Sequence, residues 1–300
     1  MRLPHPAKYT PWSKGVYDVA PSLKPLGTDF GNGVADEPWF QFDTRLDEFL
    51  LSKRSALAED PAKYVHRSNL SQEVETAALA AMGARLASEY PELFRLHDGD
   101  LFQTVDSQLP SKLSSLEALA QCVQEDICIV QANDQTDWIA YLHVCSPSHW
   151  RPSEKLGKPF FDVHDVIPGF DKVNRVASSL VDAMINKGPF VRFVWGIESD
   201  QRPNHHPDPP PGANPSEWEG RDFSSGKFWV RTERQVIWGL PEVKAALFTI
   251  KVSHMPDTEL MARADWKESL VAALNSMSPA ARQYKGLAKD WDRLLNLLTA

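Results

Sequence analysis

Apolar and polar positions along this chain follow two periods, and the changes between them mark its elements. From Ser71 to Tyr90, Leu79, Met82 and Leu86 recur at helical spacing, with Ser71 placed to cap, Glu73 and Glu75 in the first turn and Pro91 at the end. Residues 43–58 suit another helix, with Asp43 as its N-cap. Before it, residues 1–45 carry Pro4, Pro6, Pro11, Pro21, Pro25 and Pro38, which prevent long helices. The middle of the chain reads as sheet. Residues 127–131 and 138–145 form a hairpin about Asn133-Asp134, and residues 190–197, 227–237 and 245–253 are three further strands. Between them, Asp171 reads as the cap of a helix carrying Val173, Val176, Leu180 and Met184, stopped by Gly188-Pro189. Beyond Thr258 the chain is helical again, with Ser278-Pro279 opening one helix and Leu294, Leu295, Leu297 and Leu298 free to pack inward. The fold expected is α+β: one domain over residues 1–300 with an antiparallel sheet of about five strands partly covered by helices. Helical elaborations occupy about 40–120 and 257–300, and the Pro-rich insert 199–226 is expected as a surface loop or lid.

Charge and cysteine usage narrow the partners. The net charge of −8 argues against nucleic acid and anionic membranes, which need clustered cations, although a local basic pocket remains open. Cys122, Cys128 and Cys145 are too few and scattered for a disulfide framework, and three thiols cannot supply the four ligands of an ordinary iron–sulfur cluster. The opening MRLPHPAKYT lacks the apolar core of a signal peptide, and no run of about 18 apolar residues is present. A cytoplasmic protein is expected. Ten tryptophans suit the walls of a flat ligand or an ordinary core equally.

Several familiar chemistries find no support. There is no G-x-S-x-G, H-E-x-x-H or G-x-G-x-x-G, and Gly226-Lys227 is followed by Phe228 rather than Ser or Thr. His205-His206, with Asp208 nearby, reads as part of a solvated loop, since adjacent loop histidines point apart and no third ligand is fixed. His143 sits between Leu142 and Val144 on a strand and reads as a buried histidine bonded to backbone. The informative stretch is 145–170, CSPSHWRPSEKLGKPFFDVHDVIPGF, which follows a strand and precedes a capped helix. It holds His164, the cations Lys155 and Lys158, and the aromatics Trp150, Phe160, Phe161 and Phe170. A haem site needs an imidazole, apolar walls and propionate partners, and all three kinds are present. Any aromatic loop with one histidine would share that composition.

Four ordered blocks resemble the α-subunit family of haem-dependent oxidative N-demethylases. They are Cys145, Pro147-Ser148, Trp150, Lys155 and Gly157; His164 with Pro168; Arg192 and Trp195; and Arg231, Glu233-Arg234-Gln235, Leu240-Pro241, Phe248 and Ile250. The resemblance implies a PAS-like haem-binding module. Four positions depart from the family pattern: Val166 replaces a usual proline, Val194 an asparagine, Gly239 a basic residue and Lys251 an arginine. The insert 199–226 is also longer than in the best-matching members.

On this resemblance His164 is the axial ligand of the iron in haem b. Its other reading is a loop histidine beside a proline turn. Arg231 and Glu233 share one strand face and Arg234 takes the other. One such face would pair an arginine with a propionate and hold a cationic amine on Glu233; the other reading is a cross-strand ion-pair set. Arg192 is a propionate partner or a surface charge, Lys155 pins the haem edge or is solvated, and Trp150 and Trp195 are haem walls or core. The activity implied is oxidative demethylation of a small secondary amine with O2, releasing formaldehyde, with electrons from a separate flavin/iron–sulfur reductase. A non-catalytic haem or small-ligand sensor and a haem-free member with a reused pocket are the alternatives.

Overall fold

β-branched and aromatic residues dominate the middle of the chain, and in the computed structural model they form one continuous antiparallel sheet. The description covers residues 2–20, 22–33, 36–104, 111–170 and 177–299, leaving aside the side chains of 177 and 178. The strands are β1 (Lys24–Pro25), β2 (Val65–Arg67), β3 (Phe94–His97), β4 (Asp100–Gln103), β5 (Ser111–Lys112), β6 (Asp126–Ala132), β7 (Asp137–His143), β8 (Phe190–Glu198), β9 (Trp229–Leu240) and β10 (Ala245–Pro256). All five expected strands are present, as β6 to β10. They lie side by side in a seven-stranded sheet ordered β1-β8-β9-β10-β6-β7-β2, with two short strands at its edges. At the tip of the β6–β7 hairpin, the Asn133 side chain accepts the N–H groups of Gln135 (2.8 Å) and Thr136 (2.9 Å).

The N-terminal third is more than helical. The helices Leu46–Glu59 and Gln72–Glu89 are there, but β3, β4 and β5 make a second, three-stranded sheet inside the region expected to be helical. These strands are only two to four residues long, too short for a period of two to register in the sequence. Ser71 caps its helix by accepting from Val74 N–H (3.2 Å), and Ser278 does the same for Ala281 N–H (3.1 Å). Asp43 does not cap. Its helix starts at Leu46, and Asp43 is buried and ion-paired with Lys251 of β10. The expected helix cap at Asp171, with Val173 and Val176, lies outside the described residues; the helix Ala177–Asn186 follows it.

Both faces of the sheet are covered. Ile127, Ile129, Tyr141, Val191, Val236 and Leu247 pack against Val74, Ala78, Met82 and Leu86 of the helix Gln72–Glu89 and against Trp39, Phe40 and Phe42. The opposite face turns Cys128, Val130, Ile139, Leu142 and Phe248 toward Phe160, Phe161 and Phe170. Ile139 and Leu142 share that face because Val130 pairs with Ile139 while Ile129 pairs with Tyr141, leaving Ala140 as an extra residue. Such a bulge re-aims the side chains on one side of it. The C-terminal helices bury Leu260, Leu270, Leu274, Leu294 and Leu298 with Trp12 and Phe223.

A buried charge joins the sheet to the loop that follows it. The Asp126 carboxylate accepts the N–H groups of Cys145 (2.9 Å) and Ser146 (2.8 Å), turning the chain as it leaves β7. Lys53 lies 3.9 Å from that carboxylate and donates to the carbonyls of Ala120 and Val123 (2.9 Å each) and Glu125. The Ser146 carbonyl then accepts from Arg231 Nη2 (2.5 Å).

Gly239, where the resembling family carries a basic residue, is explained by packing. A Cβ there would lie 1.9 Å from the Ile185 carbonyl oxygen, so the end of the helix Ala177–Asn186 rests directly on β9. Gly239→Ala is expected to cost about 1–3 kcal/mol of stability, as overpacking does. Urea unfolding measures it, and an unchanged midpoint would mean that the helix end shifts freely.

Candidate functional site

The second face of the sheet does not close completely: a cavity of about 450 Å³ lies between it and the loop after β7. That is the size of a small-molecule or cofactor pocket. The floor comes from alternate residues of four strands, Cys128 and Val130, Arg192 and Val194, Arg231, Glu233 and Gln235, and Phe248 and Ile250. The roof is the stretch 148–167 singled out by sequence, and Arg221, Tyr284 and Lys285 form a further wall.

His164 sits in a single 3-10 turn, Asp162–His164, and lines the cavity. Its Nδ1 donates to the Phe160 carbonyl at 2.5 Å, and among the described residues Nε2 makes no hydrogen bond. The ring lies over Phe170 (centroids 5.2 Å, 23°) and against Phe160 (4.6 Å). Burial, and then the nearby Lys155 and Arg192, push its pKa down to about 3. The imidazole is therefore neutral at physiological pH, with one nitrogen committed as donor and the other carrying a lone pair. A metal-ligating histidine requires that tautomer and that kind of support.

The walls are aromatic and the charge is positive. Phe160 stacks on Phe248 (5.7 Å, 28°), and Lys155 Nζ lies 3.9 Å from the Trp150 ring centroid. Among the lining residues Arg151, Lys155, Lys158, Arg192, Arg221, Arg231 and Lys285 are basic, against Glu154, Asp162 and Glu233. A chain of net charge −8 thus concentrates cations where a ligand would sit, which favours an anionic one. Burial lowers the pKa of Lys155 and of Arg192, and Glu233 opposes this for both. Arg192 Nε is buried without a hydrogen-bond partner. Glu233 accepts from Gln235 Nε2 (3.0 Å) and lies 3.5 Å from Arg231 Nη2.

The sequence-predicted residues separate into two groups. His164, Trp150, Lys155, Arg192, Arg231 and Glu233 line the one cavity. Arg231 is also tied to the Pro203 (3.0 Å) and Ser146 carbonyls, so its guanidinium is fixed by backbone as well as by Glu233. Arg234 is not brought to the site. It points through the opposite face, where it pairs with Asp36 (2.7 Å) and donates to the Pro38 and Trp39 carbonyls. Trp195 borders the cavity, yet its ring packs edge-on against Trp12 (5.8 Å) and Tyr17 (5.9 Å) in the C-terminal core.

Within the insert 199–226, the segment at His205-His206 departs from expectation. It is not solvated, because Asn204, His205 and His206 are 7%, 1% and 2% exposed. It lies along the site loop through His205 N–H to Pro147 O (3.1 Å) and His149 N–H to His205 O (3.0 Å), and Arg151 clamps Asp208. His205 bonds Asp200 (3.2 Å), and a Cβ at Gly220 would lie 2.6 Å from its Nε2. Among the described residues no three His, Cys, Asp or Glu side chains converge as metal ligands. His143 is buried as expected, though its Nε2 lacks a partner and its Nδ1 lies 3.9 Å from Cys145 Sγ.

Sequence reading missed His149, Arg221, Tyr284 and Lys285, all of which line the cavity. His149 adopts φ 61° and its Nε2 bonds Glu198 at 2.9 Å. Burial would raise the Glu198 pKa, but His149, His205 and Arg231 outweigh it and hold it at about 2. The neighbouring glycines in Gly220-Arg221 and Lys285-Gly286 were the available signal for two of these residues.

Fold and cavity together define an α+β protein with a pocket lined by cations and aromatic rings, onto which the His164 imidazole opens. Residues 32–295 match the family described as haem-dependent oxidative N-demethylase, alpha subunit-like, and the chain belongs to that family. Its family is one of oxidoreductases that depend on haem, and an alpha subunit implies further subunits. Among the described residues, no helix is long and apolar enough to cross a membrane.

The His149–Glu198 pair makes a pH prediction. Glu198 titrates at about 2 in the fold against an ordinary 4.5, so its contribution is complete above that ordinary range. It is lost as pH falls from about 4.5 through about 2, on the order of 3 kcal/mol. Glu198→Gln should flatten this part of the stability–pH curve measured by urea unfolding; an identical acid limb in both proteins would refute the pairing.

Proposed function

We propose that this protein binds haem b in the cavity, with His164 as the residue that would bind its iron, and removes a methyl group from a small secondary amine using O2. The observation that carries the reading is the Nδ1–H of His164 held on the Phe160 carbonyl at 2.5 Å, which leaves a neutral imidazole with Nε2 available. The donor set fits the group: Lys155 and Arg192 are the cations that act on His164, both would pair with propionates, and Arg192 Nε is buried without a partner. Phe160, Phe248 and Trp150 supply apolar walls that exclude water. The sheet with its cavity on one face serves as the PAS-like module implied by the family resemblance.

When bound, haem supplies the O2 chemistry and single-electron steps that protein side chains cannot. The chain's own groups handle binding and charge. Glu233 is an acceptor for a secondary ammonium, held in place by Gln235 and Arg231. The reaction takes in the amine, O2, two electrons and two protons, and releases the demethylated amine, formaldehyde and water. The family resemblance implies that the electrons come from a separate flavin/iron–sulfur reductase, and three cysteines, too few for a cluster of four thiolates, agree with that.

The purified protein should show a Soret band, and His164→Ala should abolish or shift it while far-ultraviolet circular dichroism is unchanged. An unaltered band in the variant would refute the ligand assignment. Glu233→Gln should leave the band in place and lower kcat/KM for formaldehyde release with a reductant by roughly tenfold or more, the loss expected when a charged hydrogen bond to substrate is removed.

A further inference from the structure

Four of the cavity's cations fall into two pairs. Lys155 and Arg192 act on His164, whereas Arg221 and Lys285 act on each other and on Glu198. Glu233 lies between, felt by Lys155, Arg192 and Lys285 alike. Two propionates account for the first pair and leave the second without an anion.

The second pair is built rather than incidental. Arg221 comes from the insert, and Tyr284 and Lys285 from the end of the helix Pro279–Tyr284. Gly286 provides the seat: a Cβ there would lie 1.7 Å from Arg221 Nη1, at φ +68°. Among the described residues Arg221 makes no hydrogen bond or ion pair within 4 Å, and its Nε is buried without a partner. Lys285 Nζ donates to the Trp195 carbonyl at 2.8 Å, lies 6.0 Å from the Tyr17 ring centroid, and feels Glu233 and Glu198 through space. Burial pushes its pKa down to about 8, against the pull of Glu233 and Glu198.

The unpartnered cation decides what fits. Arg221 has its Nε buried without a hydrogen bond, and Glu198 and Glu219 act on it only through space. A bare dialkylammonium ion has no group to offer that guanidinium. A zwitterion brings its own carboxylate. We propose that Arg221 and Lys285 form a carboxylate subsite, so that the amine taken is an N-methylated amino acid with its ammonium on Glu233. This deepens the proposed function and rests on it for the reaction, though not for the binding.

Isothermal titration calorimetry of the protein as isolated, with N-methylglycine and with dimethylamine, reads the subsite directly. N-methylglycine should bind roughly thirtyfold or more tightly than dimethylamine, the scale of a buried charged contact. Acetate should compete with N-methylglycine but not with dimethylamine, a measurement that needs no variant. Arg221→Gln and Lys285→Met should each remove most of the preference by weakening N-methylglycine binding, without weakening dimethylamine binding. Equal affinities for the two amines, or unchanged N-methylglycine binding in both folded variants, overturn the proposal. A Soret band lost in Arg221→Gln with N-methylglycine affinity intact also overturns it, because the arginine then serves a propionate. A wild-type protein without any Soret band would sink the haem reading instead and leave the calorimetric comparison standing.

Discussion

The structure turns on one buried carboxylate. Asp126 is 1% exposed and satisfies two consecutive backbone N–H groups, at Cys145 and Ser146, where the chain leaves the sheet for the site loop. A charge that deep is costly unless paired, and Lys53, equally buried, supplies the compensation from the helix Leu46–Glu59. The consequence passes along covalent and hydrogen bonds: Ser146 is fixed, its carbonyl fixes Arg231, and Arg231 orients Glu233. The helix Leu46–Glu59, which contributes no residue to the cavity lining, thus helps set the geometry of the cavity floor.

The same logic recurs on the far side of β10. Lys251 finds Asp43, and Arg234 finds Asp36, so two cations on the face away from the cavity anchor the Pro-rich N-terminal segment. These pairs explain why the strands carry charge on both faces although both are covered. Lys251, in the position where the resembling family has arginine, keeps the charge and loses only the fork geometry.

How much was legible in the sequence follows from the kind of signal each element emits. Strands of seven to twelve residues, and helices with a serine cap, announced themselves through period and punctuation. The two- to four-residue strands β3 to β5 had no period to show, and the bulge at Ala140 is invisible to alternation because it breaks it. In the site, the β9 alternation correctly put Arg231 and Glu233 on one face and Arg234 on the other, which also meant that only one of the two arginines could be at the ligand. The roof residues were contiguous and so were found together. The wall formed by Arg221, Tyr284 and Lys285 joins segments more than sixty positions apart, and nothing local links them. His205-His206 was misjudged for a related reason: Pro-rich polar sequence suggests solvent, but Asn204, His205 and His206 bond to Tyr64, Asp200 and Trp218, none of which composition can place nearby.

The long reach of the anchoring pairs bears on time rather than on strength. Arg234 joins Asp36 across 198 positions, and Lys251 joins Asp43 across 208. Contacts of such sequence separation close large loops and slow the approach to the native state. The chain must finish β10 before either pair can close, whereas the bonds from Trp39 and Phe40 N–H to Glu89 and from Gln41 N–H to Glu125 can form much earlier in synthesis. Assembly of the cavity therefore comes late, and any ligand that bridges its walls would act as a brake on reopening.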